Sequence, residues 1–453
     1  MKFLGIDIPM KNTPALDSGY VPMSVFAREF LKQASKPIAI AVERNDGLTA
    51  VYHTKVTGTN AEADKYYIDR TVKFLLWAKG GFCVTICGDD DIADYIAKAY
   101  SEGGSRAFDA TFMARVYEKP FTVKAVTLTD CPAEREKSKP VGGNLSGCRI
   151  GFDAGGSDRK VSAVIDGEAV YSEEVVWHPK INPDPQYHFD GIVSAMKTAA
   201  SKMPRVDAIG VSSAGIYIDN RTMVASLFLK VPQDKFDEQV KDIYIRAAAE
   251  IGADLPLNVA NDGDVTALAG AMELGDNAVL GIAMGTSEAG GFVDEDGNIT
   301  GWLNELAFAP VDAAPGAMED EWSGDIGCGV KYFSQDGVIK LAGHAGIELD
   351  ANAAPGEKLK VVQELLANDD PRAVQVFESI GIYLGHTLPY YHEFYGFRHV
   401  LLLGRVMSGE GGNLILAGAK KVLAEEYPAC TFNVHVPDEK SRRVGQSVAA
   451  ASL

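Results

Sequence analysis

The chain has 453 residues, 46% apolar and 23% charged, a globular balance at a length that calls for two or three cores. Its formal charge of −19 argues against a nucleic-acid footprint, which needs a basic face, and disfavours anionic membrane surfaces. No window reaches the roughly 18 apolar residues of a membrane span, and the first ten residues show no basic-then-apolar signal pattern. With its six cysteines scattered at 83, 87, 131, 148, 328 and 430, the chain is expected to be cytoplasmic, with reduced thiols.

In chain order, the runs 38–42 and 48–52 predict paired strands around Asn45-Asp46-Gly47. Apolar spacing over 66–78 predicts a helix with Ile68, Val72, Leu75 and Leu76 on one side. A buried strand is expected at 82–86, then a helix over 92–100 behind the acidic turn of Asp89, Asp90 and Asp91. Polar, Pro- and Gly-rich sequence makes 129–147 the expected linker, leaving 1–128 as an α/β domain of unknown role. A hairpin over 148–165 follows, then helices over 189–201 and 236–251 and strands over 208–211 and 257–259. Beyond these come a helix at 265–273, strands at 279–284 and 291–293, and turn-rich sequence to 327. Helices at 357–366, 373–384 and 413–426, strands at 400–404 and 432–434, and a closing helix at 441–451 complete the expectation.

Two glycine-rich turns stand between apolar strands, Gly151-Phe152-Asp153-Ala154-Gly155-Gly156-Ser157 and Gly285-Thr286-Ser287-Glu288-Ala289-Gly290-Gly291. Successive glycines turn several N–H groups toward one point, a nest for phosphate oxygens. Two such hairpins point to one nucleotide held between two lobes, and the carboxylates between them point to phosphoryl transfer. Asp153 either caps its turn or holds Mg²⁺ through water, and Arg159-Lys160 adds positive charge beside it. Asn261-Asp262 ends an apolar strand. Asp262 is either a helix cap or the base that accepts a hydroxyl proton, and Asp264 reads as a cap. The stretch from Gly404 through Gly409 to Gly412 follows an apolar strand and opens a helix, which suits close approach to an adenosine.

Together these segments resemble the ROK family of sugar kinases and repressors, within the sugar-kinase/actin/Hsp70 superfamily, over residues 148–453. The resemblance implies an α/β, two-lobed actin-like ATPase (ribonuclease H-like) fold with an additional N-terminal α/β domain. Residues 148–260 would form the first kinase lobe, to which the helix 441–451 returns, and 261–440 the second. It implies ATP and Mg²⁺ as cofactors, a sugar or related polyol as acceptor, and pairing into a homodimer. Asp262 would be the catalytic base, with Asn261 and Glu305 on acceptor hydroxyls. Asp153, Gly155, Gly156, Ser157, Gly285, Thr286, Gly290, Gly291, Gly404 and Gly409 would hold the nucleotide, Asp153 carrying Mg²⁺ through water. Gly210-Val211-Ser212-Ser213-Ala214-Gly215 stands where the family has a Pro-Gly turn.

The sequence departs from the family pattern at several points. Phe308 stands where many members have a zinc-binding histidine, and Cys328 is the one thiol left of the zinc motif, so no zinc site is expected. Val330 replaces a second sugar-binding glutamate, and Ser226-Leu227-Phe228 replaces a sugar-contacting asparagine. Glu288 and Ala289 replace an apolar residue and a glycine in the second phosphate turn. A carboxylate aimed at phosphates there would oppose binding, and one aimed away would be harmless. These departures leave an alternative: a non-catalytic sugar- or metabolite-binding regulator on a degenerate kinase scaffold. ROK repressors carry a basic winged helix at the amino terminus, whereas an α/β pattern with Asp89, Asp90 and Asp91 stands there, so no DNA binding is expected.

Overall fold

The computed structural model describes residues 1–137, 140–437, 446 and 448–453. The chain divides into two units. Unit one comprises Met1–Lys137, Ile282–Gly290 and Trp302–Val436; unit two comprises Ser138–Gly281, Gly291–Gly301 and Pro437–Leu453.

Unit two is built on five strands in the spatial order Leu257–Asn261, Ala208–Ser213, Cys148–Ala154, Asp158–Ile165, Glu168–Val176. The first three are mutually parallel and the last two run antiparallel, so 148–165 is a hairpin as its glycine turn predicts. Asp153 is level with Ser212, and Ser212 with Ala260. Asp153 and Asn261 therefore stand at the carboxyl ends of the two parallel strands that flank Ala208–Ser213, where open α/β sheets bind ligands. Helix Pro185–Ala200 turns Ile192, Ala195, Met196 and Ala199 inward at helical spacing, into the core it shares with the strands Cys148–Ala154 and Asp158–Ile165. Asp184 caps it, accepting the Gln186 amide at 3.1 Å.

The single helix expected over 236–251 is broken into Gln233–Lys235, a wide turn Phe236–Val240, and Ile243–Ala249. The Lys241 carbonyl is taken by the Thr222 amide at 2.8 Å, which diverts an acceptor the helix would otherwise use. Of the closing helix expected over 441–451, residues 441–445 and 447 lie outside the described residues, and 448–451 are helical. That last turn lies on the sheet: Arg149 Nε donates to the Ala451 carbonyl, and a Cβ on Gly210 would strike the Ala450 carbonyl.

Unit one holds a four-stranded sheet in the order Thr49–Val56, Lys36–Glu43, Cys83–Cys87, Thr122–Val126. Its first two strands pair antiparallel, as the Asn45-Asp46-Gly47 turn predicts. Helices Ala61–Ala78 and Asp90–Ala99 extend the expected ones at their amino ends, where Asn60 and Asp89 supply caps. Helices Met23–Leu31, Ala107–Tyr117 and Gln335–His344 were not expected. A second sheet has the order Glu288–Val293, Val279–Met284, His399–Leu403, Asn433–His435. Helix Pro371–Tyr395 packs on Glu410–Glu426 with Gly381 and Gly418 back to back, so close that a Cβ on Gly381 would stand 2.7 Å from the Ile415 carbonyl.

Residues 1–137 share this unit with 302–436 through buried charge and aromatic contacts. Asp325 accepts from Arg70 at 2.7 Å, Arg106 at 2.7 Å and Lys73 at 3.0 Å. Lys73 is completely buried. Against the cost of burial, these three cations hold the Asp325 carboxyl well below the usual range. Phe74 stacks on Phe394 at 4.1 Å between ring centres.

Candidate functional site

In unit two the strand ends bring two carboxylates together. Asp153 is fixed by Ser212, whose hydroxyl donates to Oδ1 at 2.7 Å. Burial raises the Asp153 pKa although Ser212 and Lys160 favour its charge. Asp262 is the first residue of helix Asp262–Leu274. Burial, and then the like charge of Asp153, push its pKa up to about 6, with Lys180 opposing the shift. Asn261 is the helix cap. Its Oδ1 accepts the Gly263 amide at 2.7 Å and its Nδ2 donates to the Gly215 carbonyl at 2.7 Å. Asp264, read as a cap, is not one: with the cap position filled by Asn261, it accepts the Phe292 amide at 3.0 Å instead.

The turn 155–157 is tied down by Trp177, an almost fully buried residue. Its indole Nε1 donates to the Gly155 carbonyl at 2.7 Å and its backbone amide to the Ser157 carbonyl at 3.1 Å. Gly156 lies under Lys180: a Cβ there would stand 2.6 Å from Cε and 2.9 Å from Nζ of that side chain. The basic pair next to the turn is employed otherwise. Arg159 lies over the Trp177 ring, 5.7 Å from its centre, and Lys160 pairs with Asp158 at 3.3 Å. Neither Trp177 nor Lys180 was singled out from the sequence, where no motif or period marks them.

In unit one the second turn consists of residues 285–287, with Thr286 and Ser287 exposed and the Gly285 amide donating to the Ser287 carbonyl at 3.0 Å. The first amide of helix Gln335–His344 donates to the Gly285 carbonyl at 2.9 Å, so a helix amino end abuts this turn. Gly290, and Gly291 where the chain passes into unit two, are buried inside strand Glu288–Val293 rather than in the turn. Side chains there would collide, Gly290 with the Asn304 carbonyl at 2.5 Å and Gly291 with the backbone of Gly263. Glu288 is 2% exposed and turned into the interior of the unit, where Tyr391 donates to Oε1 at 3.4 Å and Oε2 lies against Gly329. Burial raises its pKa to about 8, so at neutral pH it is a protonated acid facing away from the turn.

Gly404, at φ +96°, passes so close to Met284 that a Cβ would strike its backbone; the adenosine-side candidate thus adjoins the end of strand Val279–Met284. Gly409, at φ +64°, is exposed and precedes helix Glu410–Glu426. Glu305 is half-buried and held through its backbone, its amide donating to the Trp77 carbonyl at 2.9 Å, as the Asn304 amide does to Ala78 at 2.9 Å. Phe308 stacks on Trp77 at 4.2 Å and lies among Phe108 and Phe112. Cys328 Sγ donates to Asp325 Oδ2 at 3.6 Å, and burial pushes its thiol up to about 11. Val330 lies in the short turn Gly329–Lys331, and Ser226–Phe228 forms another whose Phe228 is in the core of unit two. Unit two thus brings Asp153, the 155–157 turn, Asn261 and Asp262 to one strand edge; unit one brings the 285–287 turn next to Gly404.

No known family profile matches the sequence, and no protein of curated function is similar to it. Solved structures are. The ROK hexokinase of Thermus thermophilus superposes with a TM-score of 0.52 at 17% identity, over 67% of this chain and 97% of its own. A ROK family transcriptional regulator, a homologue of the E. coli MLC protein, superposes at 0.50 and 16% identity, over 68% of this chain and 79% of its own. The fold is that of the ROK proteins. It is an α/β fold of the actin-like ATPase kind, and its two named neighbours are one enzyme and one regulator. No helix among the described residues is long and apolar enough to cross a membrane.

Proposed function

We propose that the chain is a ROK-type kinase that transfers the γ-phosphate of ATP to a hydroxyl of a sugar or related polyol. The observation that carries this reading is the setting of Asp262. It stands at a strand end beside Asp153 and the 155–157 turn, with a pKa of about 6, near the pH at which a general base is most effective. As the acceptor oxygen bonds to the γ-phosphorus, Asp262 takes the hydroxyl proton and the bond to ADP breaks. The remaining demands are positioning and charge neutralisation. Asp153 offers a hard carboxylate oxygen, the donor that suits a hydrated Mg²⁺, which when bound neutralises phosphate charge.

In unit two the turn 155–157 is the proposed phosphate contact; in unit one it is the turn 285–287, followed in the chain by Gly290 and Gly291. Gly404 and Gly409 would flank the adenosine. Acceptor hydroxyls are the proposed partners of Glu305 in unit one and of the second amide hydrogen of Asn261 in unit two. The inward, protonated Glu288 removes the repulsion its place in the turn would otherwise impose.

The fold likeness to a transcriptional regulator favours a second reading, a sugar-responsive regulator that does not turn over ATP. Titration calorimetry with a non-hydrolysable ATP analogue and Mg²⁺, followed by a sugar-acceptor screen, separates the two. Analogue binding and transfer to one sugar are expected. Saturable sugar binding without analogue binding would establish the regulator.

A further inference from the structure

Four observations in unit two converge on Lys180. Its side chain lies across the face of Gly156, with Nζ 2.9 Å from the point where a Cβ would be, so it occupies space that only a glycine leaves open. Its backbone is held from both sides. Upstream, Trp177 bonds the Gly155 and Ser157 carbonyls of the 155–157 turn. Downstream, the buried His188 ring lies 3.0 Å from the Pro179 carbonyl and 2.9 Å from that of Asp184. The cations adjacent in sequence are engaged elsewhere, Arg159 over the Trp177 ring and Lys160 on Asp158. Finally, the Lys180 ammonium bears on the Asp262 carboxyl, so its charge reaches the candidate base as well as the turn.

We infer that Lys180 is a phosphate-binding residue, its ammonium placed over the 155–157 turn to receive the oxygens of the transferred phosphoryl group. The assignment rests on the kinase reading and extends it to a residue outside the glycine motifs. A turn of backbone amides gives directed hydrogen bonds but only partial charges. An ammonium adds a full positive charge where negative charge moves during transfer. Lysine suits this task, since its compact, flexibly mounted charge follows a moving phosphoryl group without bidentate geometry. Trp177 is the corresponding positioning residue, because it fixes the turn and the start of the Lys180 segment together.

The test compares wild type, Lys180→Met and Lys180→Arg, with AMP-PNP·Mg²⁺ and adenosine as calorimetric probes and turnover as a second readout. Lys180→Met is expected to weaken AMP-PNP binding at least about tenfold and to lower kcat by about a hundredfold, the usual scale for losing one charge-stabilising group. Adenosine affinity should be unchanged, and Lys180→Arg should recover part of both losses. The affinity of Lys180→Met for AMP-PNP should also depend less steeply on salt. Wild-type values for Lys180→Met would overturn the assignment while leaving the kinase reading intact, and an equal loss for adenosine would overturn it as a distortion of the turn. A wild-type protein that binds no AMP-PNP would remove the kinase reading and this assignment together.

Discussion

Asp325 in unit one and Asp262 in unit two are both carboxyls largely withdrawn from water, and their surroundings drive them in opposite directions. Asp325 meets three cations and is held ionised. Asp262 is raised by burial first and by the like charge of Asp153 next, against the pull of the exposed Lys180. Burial alone thus does not assign a role. Compensating charge holds one carboxyl ionised; burial with a like charge beside it raises the other toward neutral pH, as the proposed base requires.

The sharpest way to break the comparison is to empty the first setting. Asp325→Ala leaves Arg70, Lys73 and Arg106 without their shared partner and is expected to cost about 3–5 kcal/mol in urea unfolding. Because the folded pKa lies below the unfolded value, the Asp325 contribution is complete at neutral pH. It is lost only on acidification below about pH 4. A loss under 1 kcal/mol would mean that the cations are satisfied without it.

In the second setting, Asp262→Asn is expected to lower kcat about a thousandfold, within the range for removing a general base. AMP-PNP affinity should stay within about twofold, since a base of this kind is a transition-state interaction. In the wild type the active form is the carboxylate. kcat/KM should therefore fall tenfold per unit below a pH of about 6 and level off above it. Turnover persisting in the asparagine variant, or an acid limb near 4, would show that Asp262 is not the base.

The smallest effect comes from a third buried acid. Glu288 has a folded pKa of about 8, above its unfolded value, so the wild type loses stability as pH rises between about 4.5 and 8. Glu288→Gln should be close to wild type in stability at pH 5. By pH 9 it should be clearly the more stable of the two. A pH-independent difference would place the Glu288 carboxylate in water.

What was legible in the sequence was local. The hairpins at 36–56 and 148–165 follow from alternation around Gly-bearing turns, and the acidic strand end at Asn261-Asp262 from an apolar run that stops abruptly. What was illegible depended on distant partners or on register. The partner of Arg70 and Lys73 in helix Ala61–Ala78 was hidden because Asp325 lies far along the chain. Lys180 acquires its meaning only when Trp177 folds back onto Gly155. Glu288 could not be assigned a direction, because a strand alternates its faces at every residue and the glycines beside it mask which face is inward. The cap lies at Asn261, three residues before Asp264, because the helix starts earlier than its apolar spacing reveals.

Trp177 gives the 155–157 turn an optical handle. The chain has four tryptophans, at 77, 177, 302 and 322, and by position only Trp177 belongs to unit two. Its indole N–H is bonded to the Gly155 carbonyl, so anything that rearranges that carbonyl changes the polarity around the ring. With the other three replaced by phenylalanine, the emission wavelength of the protein would report the state of the 155–157 turn directly, without a label and on the timescale of mixing.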